Sequence, residues 1–126
     1  MFDIKILLLI GSGGFAGSIL RYVISMGVQN KFLSSFPYGT LSVNVIGSFL
    51  IGVVYALVER GNLSPEVRIF LATGLLGGFT TFSAFSLDAL NLLQEGLWLE
   101  GATYIVTSVL LGIAFAFLGL LTIKLI

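Results

Sequence analysis

Four stretches of this chain carry no Asp, Glu, Lys or Arg: residues 6–20, 32–58, 69–87 and 101–123. A helix that crosses a bilayer needs about 20 mostly apolar residues. Three of the runs are of that order or longer. The first is carried past Arg21 by apolar residues to about Val28. Charge scarcity says the same of the chain as a whole. Only 10% of its 126 residues are charged, against roughly 25% in a soluble domain, and the mean hydropathy is +1.11. So few charges cannot cover a water-facing surface. The expectation is an all-α integral membrane protein, a single membrane domain over residues 1–126 with lipid against most of its surface. The opening segment Met1-Phe2-Asp3-Ile4-Lys5 leads into an apolar run that continues well past a leader's core, so it reads as a first span and not as a removed signal peptide.

Punctuation between the runs places four helices at about 4–28, 39–58, 65–94 and 99–124. Pro37-Tyr38-Gly39-Thr40 reads as a turn and helix start, and Glu59-Arg60-Gly61-Asn62 as a polar turn. Ser64-Pro65-Glu66 is a helix opening: a serine cap, proline at the first helical position and an acid at the positive end of the dipole. Gln94-Glu95-Gly96 closes the third span. Four spans put both termini on one side, together with Lys5, Arg60, Arg68 and Lys124, while Arg21 and Lys31 fall on the other. A distribution this even specifies orientation only weakly, which leaves room for insertion both ways.

Composition excludes several chemistries. The chain has no cysteine and no histidine, which removes disulfides, thiolate and imidazole catalysis and most transition-metal sites. Its formal net charge is zero, so nothing points to a nucleic-acid partner. Gly11-Ser12-Gly13-Gly14-Phe15-Ala16 has the spacing of a dinucleotide loop. That fingerprint needs a βαβ unit and an acid about 20 residues on, and positions 30–38 contain none. Small residues for close helix contact explain it better. Gly13-x-x-x-Gly17, Ser48-x-x-x-Gly52, Gly74-x-x-x-Gly78 and Gly112-x-x-x-Ala116 repeat the spacing, giving every span a packing face.

The densest polar stretch, residues 73–86, lies in the third span, and Gly77-Gly78 falls at the middle of its uncharged run. Paired glycines there disfavour an unbroken helix, each by about 1 kcal/mol against alanine. Two readings are open for this stretch: a broken helix offering carbonyls to a cation and amides to an anion, or tight packing with hydroxyls bonded to their own turn. Polar stripes on the neighbouring spans favour the first. Thr40, Asn44 and Ser48 share one face of the second span, as Tyr104, Ser108 and Gly112 do on the fourth. Such groups donate hydrogen bonds without fixed charge, which suits an anion shedding its water. Phe82 and Phe85 lie at i, i+3 beside Ser83 and Ser86. An aromatic ring has a positive edge, so two rings turned edge-on could stabilise a small anion. Asp88 is an acid in the same span that reads as a snorkelling group, a loop cap or part of the pathway, and Arg21 reads as a headgroup anchor or as part of an electropositive vestibule.

These residues resemble the small fluoride channels known as Fluc or CrcB proteins. The resemblance covers the whole chain in length and four-helix plan. It is carried by Gly77-Gly78-Phe79-Thr80-Thr81-Phe82-Ser83-Ala84-Phe85-Ser86, with Gly39-Thr40-Leu41-Ser42-Val43-Asn44 and Gly17-Ser18-Ile19-Leu20-Arg21 in support. It implies a multi-pass protein of the cell (inner) membrane: an antiparallel, dual-topology homodimer passing fluoride through two pores, passively and selectively. It implies a third helix broken near mid-membrane, with a structural sodium ion held by the carbonyls of Gly77 and Thr80. It further implies a fluoride pathway along Asn44, Phe82, Phe85, Ser83, Ser86, Tyr104, Ser108 and Thr40, with Arg21 at the aqueous vestibule. Asp88 stands where the family has glutamate, and Gly112 where some relatives have serine.

Two rivals remain at this level. A small multidrug-type exporter should carry a glutamate in its first span, and residues 6–28 contain no acid. A non-transporting membrane subunit accounts for the glycine stripes but not for the hydroxyl track.

Overall fold

A computed structural model describes residues 2–126. The described residues form helices and no strand. Helix α1 is Ile4–Gln29, α2 is Tyr38–Glu59, α3 spans residues 65–79, α4 is Phe82–Gln94 and α5 is Trp98–Lys124. Together α3 and α4 make the third span, Pro65–Gln94, and all four spans are long and apolar enough to cross a membrane. The protein is multi-pass, with its third span broken.

The helix ends follow local rules. Asp3 caps α1 by accepting from the Lys5 amide at 2.9 Å. Ser64 caps α3 by accepting from the Val67 amide at 3.3 Å, with Pro65 next in line. Helices α2 and α4 both end in glycine with left-handed backbone, Gly61 at φ 71° and Gly96 at φ 77°. In both, the amide after the glycine reaches back to close the turn: Asn62 to Leu57 at 3.0 Å, and Leu97 to Leu92 at 2.9 Å. That pattern satisfies carbonyls a helix end would otherwise strand. One feature has no local signal: Ile69–Leu76 is wound as a π-helix, so the Gly77 amide reaches back five residues to Ala72.

The small-residue stripes find one another. Helix α1 lies on α3, and α2 on α5. A Cβ at Gly13 would stand 2.7 Å from the Phe70 carbonyl oxygen, and one at Gly78 2.6 Å from that of Gly14. One at Gly17 would collide with the Leu75 carbonyl, one at Gly52 with Ala116, and one at Gly119 with Phe49. Backbones in such contact gain dispersion energy that bulkier residues would forbid.

Ion pairs between Lys5 and Glu66 at 3.3 Å and between Glu59 and Lys124 at 3.5 Å gather four span ends on the side of the termini. The buried apolar set is short: Val43, Val54, Ala56, Leu76, Phe79, Ala89, Leu92 and Tyr104. Large apolar side chains cover the outside instead, Phe15, Leu110 and Phe117 among them. A surface this apolar belongs against lipid.

Candidate functional site

The third span breaks at Thr80 (φ −86°, ψ 158°) and Thr81 (φ −153°, ψ 122°), two extended residues between helices. Backbone polar groups at such a point must find other partners. Asn44 on α2 supplies two of them: its Oδ1 accepts from the Thr81 amide at 2.8 Å, and its Nδ2 donates to the Thr81 carbonyl at 3.0 Å. This double contact fixes which way the Asn44 amide faces, and it leaves Nδ2 a second N–H. The Thr81 hydroxyl caps α4 by accepting from the Ala84 amide at 3.0 Å.

The amides of Thr81 and Ala84 are the donors that an unbroken helix would give to the carbonyls of Gly77 and Thr80. Side chains have captured both, so these two carbonyls lose their helical partners. They are oxygens of the kind that hold a hard cation in discontinuous membrane helices. Among the described residues no cluster of three acidic or other metal-ligating side chains exists, so backbone is the donor set on offer.

Beside the break lies a cavity of about 360 Å³ whose lining includes Asn44, Ser48, Gly77, Thr80, Phe82, Phe85 and Ser108. The Ser48 hydroxyl is turned to the Asn44 carbonyl at 2.7 Å. The Ser108 hydroxyl is buried and has no hydrogen-bond partner, an unpaired group of a kind that folded proteins rarely leave. Phe82, 79% exposed, and the half-buried Phe85 stand with ring centroids 5.5 Å apart and planes tilted by 42°. The cavity thus combines hydroxyl and amide donors with two aromatic rings, and no charged side chain lines it. Such a lining can replace part of an anion's hydration without an opposite charge to trap it.

Four of the residues singled out for an anion path, Asn44, Phe82, Phe85 and Ser108, meet at this cavity, together with Gly77 and Thr80. The others lie elsewhere. Ser86 donates back to the Phe82 carbonyl at 2.9 Å, and Ser83 shares a 3.2 Å bond with the Thr81 hydroxyl. Tyr104 is fully buried and donates to Asp88 at 3.2 Å, with Thr40 beside its hydroxyl. Its ring is packed against Phe85 at 5.2 Å, so it backs the cavity wall from behind. Arg21 sits partly exposed on α1, away from the cavity. Sequence reasoning missed Thr81, which both receives the Asn44 clamp and caps α4. A threonine three residues ahead of an alanine amide is an N-cap signal, hidden because a cap is not looked for in mid-span.

Comparisons agree on one family. Residues 8–120 match the family model described as CrcB-like protein, Camphor Resistance (CrcB). The chain is 50% identical over 115 residues to the fluoride-specific ion channel FluC of Rhizobium meliloti (strain 1021), which covers 90% of this chain and 92% of the relative. It is 49% identical over 113 residues to the protein of the same name from Shewanella sp. (strain ANA-3), covering 90% and 91%. The FluC of Shewanella oneidensis matches to the same extent.

Proposed function

The chain belongs to the CrcB-like protein family, and from that premise we propose that it is a fluoride channel: a passive, selective path for fluoride leaving the cell, not an enzyme. The observation that carries this reading is the uncharged cavity at the break, lined by Asn44, Ser48, Phe82, Phe85 and Ser108, with the Ser108 hydroxyl left without a partner and the two rings 5.5 Å apart. Fluoride is small and strongly hydrated. A pore for it must give back short hydrogen bonds as water leaves, as cation filters do with carbonyls. Hydroxyl and amide donors do this, and ring edges extend the favourable potential between them.

Two copies in antiparallel arrangement complete the proposal. The cavity wall ends at a Phe82 ring that is 79% exposed in one chain, and the weak bias of basic residues, four against two, leaves either orientation open. Gly77 and Thr80 fit a sodium ion, since their carbonyls have lost their helical donors to Asn44 and Thr81. Bound there, the ion would offset the negative ends of carbonyl dipoles gathered from two chains. Asn44 and Thr81 keep the Thr81 and Ala84 amides off those carbonyls, and Phe82 and Phe85 would flank the anion.

Liposome flux tests the reading. With a potassium ionophore to balance charge, purified protein should release trapped fluoride while chloride stays inside, and no pH gradient should be needed. Chloride release at a similar rate, or fluoride release only with a proton gradient, would contradict it.

A further inference from the structure

Six aromatic rings form an unbroken series from the α1–α2 loop to the cavity. Phe32 stacks on Tyr38 with centroids 4.3 Å apart, and Tyr38 meets Phe36 at 4.8 Å. Phe36 stands edge-on to Tyr104 at 5.6 Å and 85°, Tyr104 meets Phe85 at 5.2 Å, and Phe85 meets Phe82 at 5.5 Å. Phe36 comes from a connecting segment, where a ring is usually free to wander. Here it is tied. The Gln29 side chain, at the end of α1, donates to the carbonyls of Ser34 at 3.2 Å and Phe36 at 3.1 Å. It also accepts from the Gly39 amide at 3.0 Å, standing in for the cap that Pro37 does not give α2.

We propose that Phe36, held by the Gln29 amide, is a positioning residue for the ring pair at the cavity: through Tyr104 it sets the tilt of Phe85. The inference rests on the channel reading above. A phenylalanine ring turns about its Cβ–Cγ bond with a broad, two-fold preference, so its edge points at an anion only where neighbours fix the angle. Phe82 has one ring neighbour and is largely exposed. Phe85 is packed against the Ala89–Leu92–Tyr104 core, and Phe36 and Leu41 pack on that core too. Of these, Phe36 is the one that brings a second ring against Tyr104, its plane nearly perpendicular to that of Tyr104, an arrangement aromatic pairs favour.

The test pairs flux with a spectroscopic readout in the full-length protein. An aromatic contact of this kind has an energy that corresponds to about three- to tenfold, so Phe36→Leu should lower fluoride release per assembled protein by about that factor. Phe36→Tyr, which keeps the ring, should restore it. Gln29→Glu keeps the acceptor for Gly39 but loses both donors to the loop, so it should lower release in the same direction without removing any ring. In each lowered variant, the 19F resonance of 3-fluorophenylalanine placed at Phe85, whose fluorine lies off the Cβ–Cγ axis and moves when the ring turns, should shift or broaden. Unchanged flux and an unchanged 19F line in Phe36→Leu would overturn the proposal; if that variant fails to assemble, the same pair of readings on Gln29→Glu decides it. Wild-type liposomes that release no fluoride would overturn the channel reading alone, since the 19F line still reports whether Phe36 sets Phe85.

Discussion

The two halves of the third span are held by opposite means. Helix α3, residues 65–79, lies on α1 through glycines, backbone on backbone, with Gly13 and Gly17 against the 70–75 carbonyls and Gly78 against Gly14. Helix α4 is held by side chains: the Asn44 clamp and Thr81 cap at its start, and Phe85, Ala89 and Leu92 on Tyr104. Glycine contact leaves no side chain to adjust, so the first half is a fixed post. Hydrogen-bonded and aromatic contacts are specific in direction, so the second half is an aimed one. The break between them is where a rigid scaffold meets a set of donors, and the cavity sits there.

Changes at the glycine contacts that hold the post should cost assembly before function, and changes at the side chains that hold or belong to the aimed half the reverse. The largest effect is expected for Gly17→Val, whose added carbons meet the Leu75 backbone with no side chain able to yield. Overpacking of this type costs about 1–3 kcal/mol or more, and monodisperse protein after extraction should fall sharply, with flux per surviving molecule little changed. Asn44→Asp comes next. It keeps an acceptor for the Thr81 amide, loses the donor to the Thr81 carbonyl, and adds negative charge at the cavity. Losing a hydrogen bond at this half-buried carbonyl costs about 1 kcal/mol, and with the charge added, fluoride release should drop by about a hundredfold or more; unchanged release would take Asn44 out of both roles. Phe82→Ile should reduce fluoride release by about tenfold, within what one ring contact can supply, while yield stays near wild type because Phe82 is largely exposed in a single chain. Equal loss of yield and flux would make Phe82 a packing residue. Ser86→Ala should do least, under about twofold in flux, since its hydroxyl is spent on its own turn and does not line the cavity.

Much of this was legible in the residues. The four spans follow from charge-free runs, and the Ser64-Pro65 opening from capping rules. The four small-residue motifs are packing faces in fact, because close approach needs only the absence of a Cβ. Gly77-Gly78 marked the right region for a different reason. Both glycines stay helical, Gly78 serving the contact with Gly14, and the chain breaks two residues later at the threonines. The Asn44–Thr81 clamp joins residues 37 apart, a pairing that periodicity on one helix does not encode. Nor does polarity reveal where a hydroxyl turns: Ser83, Ser86 and Ser108 look alike in sequence, yet only Ser108 is buried without a partner. The π-helical winding of Ile69–Leu76 likewise had no signal in composition or spacing.

The central claim is that the break, held open by two side chains, makes the conducting site. Fluoride release per assembled protein in Asn44→Leu combined with Thr81→Ala measures it most directly, because the pair returns the Thr81 and Ala84 amides to the Gly77 and Thr80 carbonyls and favours a continuous helix. Insertion with release at background is the result the account predicts. Wild-type release from a variant whose amide protection shows an unbroken third span would contradict it.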